Sequence, residues 1–423
     1  MKTFNLKSMG CKSNQLEGLL IEQNLIKNGF EKMPLNQADF FVLNSCTVTH
    51  KSDNEAFSIL QKVKRENPDI KTVLTGCIAQ IEKENLLKTS FIDFVVGNDE
   101  KLNISEVLNL KKSFSVKNIF ELKDFHKVLL DDTTKTRASV KIQDGCDNRC
   151  SYCIIPFARG KNRSADLDFI LKQIKIYEQA NFKEIMLTGI HIGQWRVNDS
   201  ENNLLNLLRS IEEKTNISRF RLGSLNPLEI DDEMLEFLKN SQKFCPHFHL
   251  SIQSMCDKTL KTMNRHYTVA KTLDLIEKIH KNFDAPFIGS DIIAGFAGEG
   301  DEDFQITVEN LKKSKLTQIH TFPYSVRKGT AAEKFENQVD LKTKNKRAAV
   351  IKQISAQKHE EFLQKNIGAI QEVLIEKNLD KKTGFLKGMT RNYINVLLDP
   401  QKYNFEKNTL YKIKIEKEHL VLG

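Results

Sequence analysis

The stretch DGCDNRCSYC, residues 144–153, decides how this chain is read. It sets Cys146, Cys150 and Cys153 with gaps of three and two residues. Three thiols this close can all ligate one metal centre but cannot resolve into paired disulfides. A trio also leaves a four-coordinate centre one ligand short, and that vacancy is a place for a cofactor or substrate. Structural zinc ordinarily takes a fourth protein ligand, often from two Cys-x2-Cys knuckles. A bacterial ferredoxin run would have a shorter first gap and a fourth cysteine. The spacing therefore favours an iron–sulfur cluster with an open site, with a zinc scaffold as the competing metal reading. Buried structural thiols are the third reading, and Asp144, Asp147 and Arg149 fit a core poorly.

Downstream of the cysteines a βα rhythm runs on, with strands expected at 138–144, 184–189, 219–224, 247–253, 287–296 and 317–324. Between them apolar residues recur at helical spacing, as in Ile170, Ile174 and Tyr177, or Leu204, Leu207, Leu208 and Ile211. Such alternation calls for a parallel sheet with right-handed crossovers. Six units are too few to close an eight-fold barrel, so an open three-quarter barrel is expected. Its strand ends should carry the chemistry, gathering the cysteine loop, Thr188, Gly189, Gln253 and Gly295 around one cavity.

Upstream, three more strand–loop–helix units are legible at TFNLKSMG (3–10), FFVLNSC (40–46) and TVLTGC (72–77). Each strand gives way to a helix at a cysteine: Cys11, Cys46 and Cys77. In an open parallel sheet those ends share one edge, where ligands bind. The three cysteines should thus meet in space as a second metal site. Ser52 and Glu55 carry a capping-box signature for the second helix.

CxxxCxxC with Tyr152 before the last cysteine resembles the signature of the radical S-adenosylmethionine (SAM) enzymes. MGCKSNQ, LNSCTVT, TGCIAQ and VVGNDEK, followed by KIQDGCDNRCSYCIIPFARGKNRS, resemble the methylthiotransferase family of those enzymes. The resemblance implies two [4Fe–4S] clusters. Cys146, Cys150 and Cys153 would hold the catalytic one, which binds SAM at its fourth iron and cleaves it to a 5′-deoxyadenosyl radical. Cys11, Cys46 and Cys77 would hold the other, where one SAM methylates sulfur. SDIIAGFAGE (290–299) resembles the family's SAM-binding strand and turn, with Ala297 where relatives have Pro. QSMCD (253–257) departs from the usual QSGSD. Tyr152, Thr188, Gly189, Gln253 and Gly295 are the expected cofactor contacts.

LTGIHIG (187–193), MNRHYT (263–268) and CPHFHLSIQS resemble the branch acting on N6-threonylcarbamoyladenosine beside the tRNA anticodon, at position 37. The alternatives are the isopentenyladenosine branch and the branch modifying an aspartate of a ribosomal protein. A different class, a non-catalytic iron–sulfur RNA-binding or redox-sensing protein, would need no SAM site. The expected partners are tRNA, SAM and an electron donor protein.

The expected fold class is α/β in three parts: an open parallel-sheet domain (1–125), the radical SAM barrel (136–364) and a small β-barrel (365–423). A charged, weakly patterned linker lies between the first two, with His126 at the surface. A helix from about Lys342 to Gln364 seals the barrel. Short strands at Val373–Ile375, Tyr393–Leu398 and 411–415 then resemble the TRAM module, an RNA-binding appendage of the family. Trp195, the only tryptophan, is expected to pack, and Cys245 and Cys256 to be ordinary thiols.

The whole chain has 423 residues, 40% of them hydrophobic and 28% charged, with a net charge of +9. That balance permits a nucleic-acid partner without demanding one. The longest apolar runs are too short to span a bilayer, and MKTFNLKSMG lacks the core of an export signal. The eight cysteines are therefore expected reduced, in the cytoplasm.

Overall fold

The computed structural model describes residues 1–131, 134–197 and 203–420. Its first sheet contains β1 (Lys2–Ser8), β2 (Phe30–Lys32), β3 (Phe40–Ser45), β4 (Lys71–Gly76), β5 (Phe94–Val96) and β6 (Phe114–Ser115). All pair in parallel, in the order β2-β1-β3-β4-β5-β6. Every residue of β3 is buried, as a strand covered on both faces should be. Phe41 and Leu43 enter one core with Leu60 and Leu74, while Phe40 and Val42 enter the other with Phe4 and Ile21. The helices are α1 (Lys12–Lys27), α2 (His50–Glu66), α3 (Cys77–Glu82) and α4 (Ile104–Asn109).

Three strands of this sheet were legible; β2, β5 and β6 are too short to show a period of two. The capping box is corrected: Thr49 caps α2, its hydroxyl accepting from the Ser52 N–H at 3.2 Å. The helix starts earlier because Thr49 offers the same acceptor ahead of Ser52. The linker is also more ordered than its composition suggests. It contains β6 and the buried Leu130, and His126, about two-fifths exposed, is paired with Asp99. Asp132 and Thr133 of the LLDDTTKTR stretch lie outside the described residues.

The second unit contains β7 (Arg137–Lys141), β8 (Gln143–Asp144), β9 (Arg163–Ser164), β10 (Glu184–Thr188), β11 (Arg219–Leu222), β12 (His247–Gln253), β13 (Phe287–Ala294) and β14 (Gln318–Pro323). Its helices are α5 (Ile155–Arg159), α6 (Leu167–Gln179), α7 (Leu204–Lys214), α8 (Asp232–Asn240), α9 (Asp257–Thr262), α10 (Val269–Asn282), α11 (Asp301–Lys313) and α12 (Leu341–Lys365). Two parallel sheets, β7-β10-β11 and β12-β13-β14, are joined by bridges Phe220–Phe244 and Leu225–Leu250. Six strands in sequence order thus form the open barrel. Ile185, Leu187, Phe220, Leu222, Phe248 and Leu250 pack outward against the helices. The alternate positions, Glu184, Arg219, Arg221 and His247 among them, turn to the other face. The antiparallel pair β8–β9 ties together the two ends of the cysteine loop.

The last sheet, β15 (Ile370–Ile375), β16 (Leu386–Thr390), β17 (Asn395–Leu398) and β18 (Leu410–Lys414), is antiparallel in the order β17-β16-β15-β18. It sits against the starts of the barrel strands. Arg219 and Arg221, both buried and paired with Glu184 at 2.8 and 2.9 Å, donate to the carbonyls of Met389, Thr390 and Arg391. The cysteine loop lies at the other end of the barrel. Among the described residues no helix is long and apolar enough to cross a membrane.

Candidate functional site

The first trio forms where three strands of the parallel sheet end. Cys11 caps α1, Cys46 follows β3, and Cys77 opens α3. Gly10 and Gly76 have φ of +80° and +90°, and a Cβ on Gly10 would lie 2.8 Å from Cys46 Sγ. Only glycine allows the Cys11 turn to come this close. Burial pushes the Cys11 thiol up, against the opposing pull of Arg159. Burial, and then the neighbouring Cys77, push Cys46 up to about 11.

The second trio lies in the loop between β8 and α5. Cys146, Cys150 and Cys153 line a cavity of about 150 Å³ with Tyr152, Ile190, His191, Ser251 and Arg265. Burial, then Cys150, raise Cys153 to about 12. Arg265 Nη1 lies 3.3 Å from Cys150 Sγ, while its Nε and Nη2 donate to Tyr267 Oη and the Ser251 carbonyl. His191 Nδ1 lies 3.6 Å from Cys146 Sγ, and its Nε2 meets the Glu229 carboxylate. Burial opposes charge on His191, but the bonds to Cys146 and Glu229 win and raise it to about 9.

Both trios suit a soft, cationic centre. Thiolates are the ligating form, and the raised thiols of Cys11, Cys46 and Cys153 resist deprotonation unless bound metal charge compensates. All six sulfurs are free thiols. Arg265 and His191 add the outer hydrogen bonds that sulfur ligands of a cluster take.

A buried polar seam separates the trios. Glu17, on the helix that Cys11 caps, binds Lys101 at 2.5 Å, Lys141 at 2.6 Å and also Arg159. Asp144, two residues before Cys146, binds Lys141 at 2.7 Å and Arg159 at 3.6 Å. Asn98 Nδ2 is 3.9 Å from Cys77 Sγ and donates to the Ala158 carbonyl at 2.7 Å. On another side of the contact, Arg327 joins Asp53 at 2.6 Å and Thr47 Oγ1 at 2.6 Å. The cysteine edge of the first sheet therefore faces the barrel end that carries the second trio.

The expected cofactor contacts are distributed unevenly. Tyr152 lines the cysteine cavity and meets Phe296 edge-on at 6.2 Å. Thr188, Gly189, Gln253 and Gly295 end their strands at the same face of the barrel but are not among that cavity's lining residues. Gln253 has φ +69°, a strained value for a side-chain-bearing residue. A Cβ on Gly295 would meet Lys344 at 2.5 Å, so its space is taken by α12. His191, Ser251 and Arg265 were missed as site residues. Arg265 and His191 stand inside motifs quoted for branch resemblance, which was the available signal. Trp195 packs, 2% exposed, donating to the Ala165 carbonyl, and Cys245 and Cys256 are buried.

Comparison with known proteins agrees with this geometry. The Radical SAM superfamily profile matches residues 140–311, and that of "Uncharacterized protein family UPF0004" matches 3–97. The threonylcarbamoyladenosine tRNA methylthiotransferase MtaB of Aquifex aeolicus (strain VF5) is 35% identical over 92% of this chain and 95% of its own. The protein of the same name from Bacillus subtilis (strain 168) is 34% identical over 94% and 90%. The solved structure of the radical SAM methyltransferase TsrM from Kitasatospora setae, with cobalamin and a [4Fe-4S] cluster bound, aligns with a TM-score of 0.57. It covers 76% of this chain and 75% of that one at 14% identity, a likeness of fold. Fold and site define a radical SAM enzyme, a class that uses SAM and a [4Fe–4S] cluster. The chain belongs to the methylthiotransferase family of that class, alongside its tRNA-modifying members.

Proposed function

We propose that this enzyme adds a methylthio group to C2 of N6-threonylcarbamoyladenosine at position 37 of tRNA. In this reading Cys146, Cys150 and Cys153 hold the catalytic [4Fe–4S] cluster. Cys11, Cys46 and Cys77 hold a second, and Tyr152, Thr188, Gly189, Gln253 and Gly295 serve the bound SAM. The division into domains is 1–125, 136–364 and 365–423, the last a TRAM-like RNA-binding module, and the enzyme works in the cytoplasm with a protein electron donor.

The observation that carries the reading is the apposition of the two cysteine trios across the Glu17–Arg159 seam. The names of the relatives point to the same nucleoside. The C–H bond at C2 of an adenine has no acidic proton, so side-chain acid–base catalysis alone gives no access to it. Cluster and SAM, when bound, supply the radical chemistry that opens it. The chain's own residues supply the arrangement. Arg265 and His191 orient Cys150 and Cys146, Glu229 holds the His191 ring, and Ile155, Ile190 and Tyr152 keep that cavity partly apolar. The buried seam holds the sulfur-bearing edge of the first domain at a fixed distance from the barrel.

Nucleosides from the tRNA of a deletion strain test the assignment. The 2-methylthio form of threonylcarbamoyladenosine should vanish and its unthiolated precursor accumulate. Undiminished product, with no second such enzyme in the strain, would sink the substrate assignment. Iron and sulfide analysis of anaerobic protein should find two clusters per chain.

A further inference from the structure

A second cavity, of about 200 Å³, adjoins the cysteine cavity and shares Asn148, His191 and Arg265 with it. Its lining draws together two of the segments that resemble the threonylcarbamoyl branch. His191 comes from LTGIHIG, and Asn264, Arg265 and His266 come from MNRHYT, more than seventy residues on. His191 and Arg265 also reach Cys146 and Cys150, so this cavity lies directly beside the cysteine trio, whereas Asn264 and His266 touch none of the three cysteines. Nearly every lining side chain carries a polar group, Leu228 being the only aliphatic one. An amide-and-carboxylate group would find donors there on several sides.

The donors divide into those already engaged and those still open. Arg265 is occupied by Cys150, Ser251 and Tyr267, and Glu229 by His191 and the Asn226 N–H. Arg149 and His266 are exposed at the cavity wall, and among the described residues neither side chain has a hydrogen-bond or ion-pair partner. An arginine left open in this way offers a planar fork suited to a carboxylate. In the proposed substrate C2 and the carbon bearing N6 both flank N1, so they lie side by side on one edge of the adenine ring. With C2 turned to the cysteine cavity, the N6 substituent needs a neighbouring space of its own.

We propose that this cavity receives the threonylcarbamoyl group of the substrate nucleoside, with its carboxylate held by Arg149 and His266. Resting on the functional reading above, it assigns the specificity of that site to the cysteine loop and the segment after α9. Adjacent residues of one loop thus divide the work: Cys150 serves the metal, and the Arg149 side chain selects the nucleoside.

The test pairs two variants with two substrates. Reconstituted wild-type, Arg149→Gln and His266→Gln enzymes are assayed on an anticodon stem-loop carrying threonylcarbamoyladenosine, and on one whose threonyl carboxylate is a methyl ester. Iron content checks that each preparation has folded and loaded. Arg149→Gln should raise KM on the natural stem-loop by about 10- to 100-fold, the range of a lost charge-assisted pair, with a much smaller change in kcat. The ester should cost the wild type a similar factor and cost Arg149→Gln little more, so that the two changes are not additive. His266→Gln should show the same pattern more weakly. Equal losses on both stem-loops would mean that Arg149 meets an RNA phosphate or the donor protein, and would overturn the proposal. A wild type inert on the natural stem-loop but active on an isopentenyladenosine one would instead overturn the functional reading itself.

Discussion

Glu17 on α1 and Arg159 at the end of α5 form an ion pair with side chains only 2% and 1% exposed, buried between the parallel-sheet domain and the barrel. Lys101 and Lys141 close on the same carboxylate. One carboxylate thus draws together cations from both domains, with Glu17 six residues from Cys11 and Arg159 six from Cys153.

Removing that anion should be costly. Glu17→Gln leaves three buried cations short of their shared partner, and breaking a buried pair this way costs about 3–5 kcal/mol. The pH dependence has a definite sign. Burial alone would raise the Glu17 carboxyl, but Arg159, Lys101 and Lys141 hold it well below its ordinary 4.5. A depressed folded value stabilises above the unfolded one, so the contribution is whole above pH 4.5 and drains away as pH falls below it. Denaturant unfolding across pH 3–7 should show the wild type losing stability in that acid window. The variant should be weaker throughout and flatter there.

The two trios should separate by their products. Cys150→Ala should abolish formation of 5′-deoxyadenosine from SAM under reducing conditions. Cys46→Ala should retain part of that activity and yield no methylthiolated tRNA. Both are read by chromatography of the small-molecule and nucleoside products. Equal loss of SAM cleavage in variants that keep their remaining iron would argue against two distinct centres.

His191 should tune the barrel site. Its ring reaches Cys146 Sγ while Glu229 secures the far nitrogen. Hydrogen bonds to ligating sulfur raise a cluster's reduction potential. His191→Ala should therefore lower the potential measured by a redox titration followed by electron paramagnetic resonance. Glu229→Gln should shift it the same way by less, since the ring remains but is held less firmly. An unchanged potential in both would remove this role.

Glu184 should be a main anchor of the C-terminal sheet, beside the Arg137–Glu376 pair at 2.9 Å. Glu184 pairs with Arg219 and Arg221, which in turn grip the carbonyls of Met389, Thr390 and Arg391. Glu184→Ala leaves the buried Arg221 without its anion and Arg219 with only Glu372 at 3.6 Å, again about 3–5 kcal/mol. Limited proteolysis should then cut more readily in the stretch after α12. Cutting at wild-type rate would show that the carbonyl contacts and the remaining pairs, Arg137–Glu376 and Arg219–Glu372, hold this sheet without Glu184.

Much of the molecule was legible because its signals are local. All six barrel strands follow from apolar runs bounded by polar turns, and all were expected within a few residues of where they stand. Cys11, Cys46 and Cys77 stand where strands of one parallel sheet end, and such a sheet brings equivalent ends to one edge. Short strands such as β5 and β6 were missed because two or three residues cannot display a period. Thr49 displaced Ser52 as the cap of α2 because two hydroxyls three residues apart offer the same bond to the sequence reader.

By itself, then, the sequence determined the kind of chemistry: cysteine spacing, strand rhythm and turn glycines are written in neighbouring residues, and neighbouring residues need no fold to be read. What only the tertiary structure decided is who stands beside whom. Arg265 lies on Cys150 across 115 positions, Arg159 on Glu17 across 142, and the two branch-like motifs around a single polar cavity. Such contacts depend on strand order and on how one domain seats against another, and a side chain's partner at that range leaves no periodic trace along the chain.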